Sequence, residues 1–259
     1  MRHSCLALPG FAFASLYEEV GSTMDVARGE VPTVAGSAEG AGLVVARRQL
    51  AGRGRQGRSW SGTGGAFMGT FLFSTRMMAA ELTGYSLSIG VGISSALEEL
   101  GVPVRLKWPN DIVVVRAGDL NKLGGILIEV QESDGVRVVL VGIGLNLVEA
   151  PADVPRALSA RAVSGIDLSV EHVAGALGAS LRSCHERFVG QGGFASFRSE
   201  WEERSCFVPG QTALAIEVSE RTVRGIYSGI EESGALLITR GTTVEALHSG
   251  HILSAEGLR

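Results

Sequence analysis

Short apolar runs separated by Gly, Ser and Asn dominate the chain, and a few longer windows carry their apolar residues at helical spacing. Phe13 to Val20 predicts a strand. Gly21-Ser22-Thr23 after it supplies a turn and an N-cap for a helix through Met24-Asp25-Val26-Ala27. Leu43 to Gln49 predicts a second strand, and Phe67 to Thr75, with the run FMGTFLF, a third. From Leu82 to Leu100 the residues Ile89, Ile93, Ala96, Leu97 and Leu100 recur with the period of a helix, and Gly101 stops it. Further strands are predicted at Val104 to Trp108, Asp111 to Val115, Leu123 to Gln131 and Val136 to Ile143. Ser133-Asp134-Gly135 joins the last two as a hairpin turn. Adjacent hairpin strands argue for a mixed or antiparallel sheet, not a doubly wound one.

A Pro- and Ala-rich connection from about Glu149 to Asp167 leads to a long helix near Val170 to Val189 and a shorter one near Phe194 to Arg204. After Phe207-Val208-Pro209-Gly210 the texture changes. Thr212 to Glu217, Thr222 to Ile230, Ala235 to Thr239 and Thr243 to Leu247 read as short strands with tight turns between them, which suggests a small β-barrel. The expected fold class is therefore α+β: a mixed, largely antiparallel sheet with helices over residues 1–207, and a small barrel domain over residues 208–259.

A length of 259 residues allows one large domain, or a core domain with a small appendage. Hydrophobic residues at 45% and charged ones at 19% exclude a disordered chain. The 36 glycines fall in short clusters beside apolar runs, which predicts many turns and close backbone approaches. A net charge of −4 gives no general reason to expect nucleic-acid binding, so any basic site must be local. Cys5, Cys184 and Cys206 lack metal or redox spacing and point to a reducing compartment. The start MRHSCLALPGFAFAS imitates a secretory signal, but Pro9-Gly10 interrupts its short apolar run. No stretch reaches the roughly 18 apolar residues of a membrane span, so a cytoplasmic protein is expected.

The densest polar signal is GRGRQGRSW, Gly52 to Trp60, which fits the phosphate-loop pattern except that Arg58 replaces its lysine. A phosphate loop opens a helix, and Ser61-Gly62-Thr63-Gly64-Gly65 cannot sensibly start one. A solvated basic hairpin loop is the commonest fate of Arg and Gly together. Against that stands charge density: Arg47, Arg48, Arg53, Arg55 and Arg58 crowd one segment without an acidic neighbour, so their repulsion asks for an anion. Guanidinium groups suit carboxylate and phosphate oxygens. Aromatic stacking residues are scarce nearby, which favours a small phosphorylated ligand over nucleic acid.

Three further segments each have a bland explanation as packing, turn or bend: KWPNDI at Lys107 to Ile112, KLGGILIE at Lys122 to Glu129, and GIGLN at Gly142 to Asn146. Together and in this order, with GSTMD at Gly21 to Asp25 and Gln49 before Arg53, they resemble the biotin protein ligases. GRGRQGRSW resembles that family's adenylate-covering loop, KWPND its nucleotide segment, and KLGGILIE the strand bearing its essential lysine. The motifs span about Phe13 to Leu147. The resemblance implies a catalytic domain shared with lipoate ligases, followed by an SH3-like barrel.

The resemblance also implies roles. Ser22, Thr23, Gln49, Arg53 and Lys122 would surround biotin, with Gly124, Gly125, Gly142 and Gly144 giving close backbone approach. Arg53, Gly54 and Arg55 would order over the adenylate, Trp60 would pack near adenine, and Lys122 and Asn146 would also reach the nucleotide. Asn110 and Asp111 would lie by the nucleotide and a Mg²⁺ ion. Lys122, Arg53 and Arg55 are the expected catalytic residues. Met24 stands where the family often has Asn, and is left outside the expected site. About a dozen residues precede Phe13, too few for a helix-turn-helix module, so repressor activity is not expected.

The implied reaction joins biotin to ATP as biotinyl-5′-AMP and passes biotin to a lysine of the carrier domain of a biotin-dependent carboxylase. No DNA or membrane partner is expected, and a homodimer is left open. Lipoate or octanoate ligation on the same fold is the nearest alternative, and the Arg-Arg-x-Ser-Gly-Gly-Gly pattern that lipoate ligases resemble is absent here. A non-catalytic biotin-binding regulator is the alternative of a different class.

Overall fold

The computed structural model describes residues 3–60, 65–219 and 221–259. The chain begins with β1 (His3–Cys5) and β2 (Phe13–Val20), crosses through α1 (Thr23–Gly29) and α2 (Val31–Ala35), and returns as β3 (Ala41–Gln49). β4 (Ala66–Thr75), α3 (Tyr85–Glu99), β5 (Arg105–Lys107), β6 (Asp111–Arg116), β7 (Asp119–Ser133) and β8 (Val136–Asn146) follow. The sheet order is β1-β2-β3-β4-β8-β7-β6-β5. Among the described strands only β2 and β3 pair in parallel, because the α1–α2 crossover supplies the long connection that parallel neighbours need. The β7–β8 hairpin turns through Asp134 and Gly135 at φ 50° and 76°, the positive values that a two-residue hairpin loop uses.

Side-chain alternation divides the strands between two cores. Leu43, Val45, Phe71, Phe73, Val139 and Val141 face one core, which α3 and α5 (Val170–Gly190) cover. Val44, Ala46, Leu72, Val138 and Leu140 face the other, under α1 and α2. Helices on both faces explain why β4 reads as a continuous apolar run. α4 (Ala160–Ser164) precedes α5, and α6 (Arg198–Arg204) follows it.

The remaining strands are β9 (Ala213–Val218), β10 (Arg221–Ile230), β11 (Leu236–Arg240), β12 (Thr243–Leu247) and β13 (His251–Glu256). They form a separate antiparallel sheet in the order β12-β11-β10-β9-β13. Trp108 Nε1 donates to Gly234 O at 3.1 Å, and the Phe207 and Tyr227 rings lie 5.6 Å apart, so the small sheet packs directly on the large unit.

The predicted elements recur with some corrections. β1, α2, α4 and β13 escaped the sequence reading, and the predicted helix at 194–204 splits into a 3-10 turn at Gly193–Phe197 and α6. Ser22 takes the extended cap position of α1, but its hydroxyl makes no capping hydrogen bond. The expectation for Ser61 to Gly64 lies outside the described residues. Among the described residues no helix is long and apolar enough to cross a membrane.

Candidate active site

The chain just after β3 is tied to the end of β2 and the turn before α1 by two backbone hydrogen bonds, Leu50 N to Val20 O and Ala51 N to Gly21 O. The chain then folds back on itself: Gly54 N donates to Arg58 O at 2.7 Å and Trp60 N to Gly52 O at 2.9 Å. Gln56 and Gly57 turn the tip with positive φ. Gly52 is required by this closure, since a Cβ there would sit 2.4 Å from Trp60 O. The resulting basic hairpin covers a cavity of about 160 Å³ between the α1 end of the large sheet, β6 to β8, and the start of β13.

Arg53, Arg55 and Arg58 from the hairpin, Lys107 from β5 and Lys122 from β7 all line this cavity. Among the described residues on its wall, Asp111 is the sole carboxylate. Lys122 Nζ lies 2.5 Å from Asp111 Oδ1, and Lys107 Nζ lies 3.3 Å from Asp111 Oδ2. Burial pushes the Asp111 carboxyl up, but the two ammonium groups outweigh it and hold it below the usual carboxylate range. The carboxylate is therefore ionised and already neutralised. The remaining positive charge is available to an anion.

Arg55 reaches across the cavity and donates to Asn110 Oδ1 at 3.0 Å, while Asn110 Nδ2 donates to Ile126 O. Burial, only partly offset by Asp111, lowers the Arg55 pKa, as expected for a cation kept from water without a fully shared counter-charge. Trp60 lies over Gly144, where a Cβ would come within 2.3 Å of the indole. Lys122 Nζ sits 5.8 Å from the Trp60 ring centre.

The opposite wall is polar and uncharged. Gln49 Oε1 accepts from Thr23 N at 2.7 Å and Thr23 Oγ1 at 3.1 Å, and Thr70 Oγ1 donates to Thr23 Oγ1 at 2.9 Å. Two buried polar atoms on the wall have no protein partner: Ser22 Oγ and Trp60 Nε1. Buried polar groups are normally satisfied, so both mark places where a ligand or water completes the bonding.

The cavity thus gathers Ser22, Thr23, Gln49, Arg53, Gly54, Arg55, Trp60, Asn110, Asp111, Lys122, Gly125, Gly142 and Gly144 from the expected set. Gly124 and Asn146 are not on its wall. A Cβ on Gly124 would strike Gly144 O at 2.5 Å, so that glycine serves strand packing. Asn146 is buried and donates to Leu158 O, which places it in support of the neighbouring loop. Met24, left outside the expected site, lines the cavity. Its thioether lies 3.5 Å from where a Gly142 Cβ would be, in ordinary contact.

Arg58, grouped in sequence with the arginines that ask for an anion, lies on the wall, as do Lys107 and His251, which were assigned no role from sequence. Lys107 had a signal in its four-residue spacing from Asp111. His251 had none, because β13 itself went unread. Burial, then Arg58 and Lys107, lower the His251 pKa, which favours the neutral ring beside these cations. Among the described residues no group of three or more His, Cys, Asp or Glu side chains could hold a metal by itself.

A family model described as the biotin/lipoate A/B protein ligase family matches residues 21–146. The Paracoccus denitrificans protein named biotin--[acetyl-CoA-carboxylase] ligase is 32% identical over 224 residues, covering 83% of this chain and 90% of that protein. The Escherichia coli bifunctional ligase/repressor BirA is 32% identical over 214 residues, or 80% of this chain; the match spans 64% of the length of that relative. A solved biotin protein ligase from Aquifex aeolicus, in complex with biotin and ATP, superposes with a TM-score of 0.74 at 27% identity, covering 93% of this chain and 97% of that one.

Proposed function

The chain belongs to the biotin/lipoate A/B protein ligase family, and from that premise we propose that it is an ATP-dependent biotin protein ligase acting in the cytoplasm. One observation carries this reading: Arg53 and Lys122, from segments far apart in sequence, line the same cavity with Arg55 and Lys107, around a single carboxylate that two lysines already neutralise. Such a wall suits the union of two anions, a carboxylate and a nucleoside triphosphate.

In the first half-reaction a biotin carboxylate oxygen attacks the α-phosphorus of ATP. The bond to the bridging oxygen of the β-phosphate breaks, and pyrophosphate leaves. The two reactants repel each other until fixed cations neutralise them, and cations held in place by the fold need no rearrangement as charge develops. Lys122 and Arg55 are so held, by Asp111 and Asn110. Ser22 Oγ and Trp60 Nε1 are free to bond the ligands, and the Thr23–Gln49 pair presents the uncharged wall to the biotin ring. Met24 and Gly142 line the same side.

A Mg²⁺ ion beside Asp111 and Asn110 would be carried mostly by nucleotide oxygens, because both Asp111 oxygens are already engaged by lysines and Asn110 Oδ1 by Arg55. When bound, the ion adds positive charge at the phosphates. The hairpin of Gly52 to Trp60 keeps water from the mixed anhydride. In the second half-reaction the amine of a carrier-domain lysine attacks the activated carbonyl carbon. The anhydride C–O bond breaks, AMP leaves, and the proton lost by the amine is released to solvent.

The test is exchange of labelled pyrophosphate into ATP by the purified chain. Biotin should support the exchange and lipoate should not. Exchange driven by lipoate or octanoate would move the protein to the other branch of its family. Biotin binding without any exchange in folded protein would make it a non-catalytic regulator. Transfer to a carboxylase carrier domain is tested by appearance of biotin on that domain's lysine.

A further inference from the structure

Arg53 is the hairpin's first arginine, and its Nη2 lies 2.6 Å from Asp25 Oδ1. Asp25 belongs to α1, one turn beyond the Ser22–Thr23 wall. The same Oδ1 accepts Arg28 Nη1 at 2.5 Å, and Arg28 Nη2 lies 2.5 Å from Glu129 Oε2 on β7. The four residues form an alternating chain of charge, Arg53–Asp25–Arg28–Glu129, running from the hairpin across the outside of the cavity. On the far side Arg55 is bonded to Asn110. The hairpin is therefore strapped at two points to opposite walls by the protein's own side chains.

We infer that Asp25 is a positioning residue that holds Arg53, and with it the hairpin, over the cavity and gives Arg53 up to an anionic ligand. The inference rests on the proposed ligase reading only for the identity of that ligand. Arg28 makes the hand-over cheap, because Asp25 keeps a cationic partner after Arg53 leaves. Both side chains of the Arg53–Asp25 pair are partly exposed, at 38% and 56%, so its attraction is screened and weak enough for a phosphate to displace. A buried pair could not exchange in this way without stranding a charge.

Arg53, Arg55 and Arg58 make the hairpin a trypsin substrate whenever it opens, so cleavage there reads the latch without using catalysis. In the ligand-free full chain, Asp25→Asn should speed cleavage after these arginines about two- to five-fold, the range expected for one exposed ion pair. Cleavage at other sites should stay unchanged, and Asp25→Glu should restore slow cleavage. Equal cleavage in Asp25→Asn and the native chain, or a uniform rise at all sites, would overturn the latch. With saturating biotin and ATP, the native chain and Asp25→Asn should become protected to the same rate; excess cleavage persisting in the liganded variant would contradict the hand-over. Failure of the native chain to gain any protection would count against the ligase reading, while the ligand-free comparison would still decide the latch.

Discussion

Lys122 and Asp111 face the same cavity because β7 carries one extra residue between them. Asp111 pairs with Gly125 and Ile112 with Gly124, but Val113 pairs with Lys122, so Leu123 is the bulged position. Strict alternation would turn Lys122 to the face opposite Gly125. The bulge instead sends Leu123 into the core and brings Lys122 Nζ to 2.5 Å from Asp111 Oδ1.

Lys122→Ala should remove one preorganised cation from the reacting phosphate. Biotin-dependent pyrophosphate exchange should fall by about 10²- to 10³-fold, the usual effect of deleting one such stabilising group. Lys107 still accompanies Asp111 in the variant, so the thermal midpoint should move little. A near-native exchange rate in folded protein would take Lys122 out of the mechanism.

Two glycines two residues apart on β8, Gly142 and Gly144, should respond differently to alanine. At Gly144 the new methyl would meet the Trp60 indole at 2.3 Å, and overpacking of that kind costs about 1–3 kcal/mol unless the indole moves. Displacement of Trp60 should alter the tryptophan emission and weaken adenylate formation. At Gly142 the nearest atoms, Leu127 O and the Met24 thioether, are 3.5 Å away, so the fold should accept the methyl. That variant should raise the KM for biotin more than for ATP, measured by exchange at varied concentrations of each.

The strand pattern was legible because the two cores bury both faces of β3, β4 and β8 and so leave continuous apolar runs in the sequence. The local charge of the hairpin was legible in Arg53, Arg55 and Arg58, whereas Arg47 and Arg48, grouped with them in sequence, lie on β3 and pair with Glu18, Glu171 and Glu19 instead of facing the cavity. What sequence could not supply is contact across distance. The bulge at Leu123 breaks the very alternation that would be used to orient Lys122. Asn146 ends an apolar strand and gives no sign that its amide turns toward Leu158. His251 reaches the cavity because the small sheet packs on Trp108 through Gly234, a relation between residues more than a hundred positions apart.

His185 should set part of the acid sensitivity of the fold. Its Nε2 faces the Ser74 carbonyl at 3.0 Å and therefore carries the proton, leaving Nδ1 to accept from Tyr85 OH at 2.8 Å. Burial lowers its pKa from 6.5. A histidine with a depressed folded-state pKa contributes no pH dependence above the unfolded value. It loses stability as pH falls below 6.5, because the unfolded chain then takes up a proton that the folded chain refuses. Urea midpoints at pH 7.5 and 5.5 should therefore differ more in the native chain than in His185→Gln. Equal differences would show that His185 does not contribute to the acid slope.

Isolation of the activated intermediate tests the central claim most directly. The purified chain, mixed with biotin and ATP labelled at the α-phosphate, should yield protein-bound biotinyl-5′-AMP, with far less from Lys122→Ala or Arg53→Ala and no comparable product from lipoate. Full formation of the adenylate in both variants, or none in the folded native chain, would contradict the convergence of Arg53 and Lys122 on one acyl phosphate.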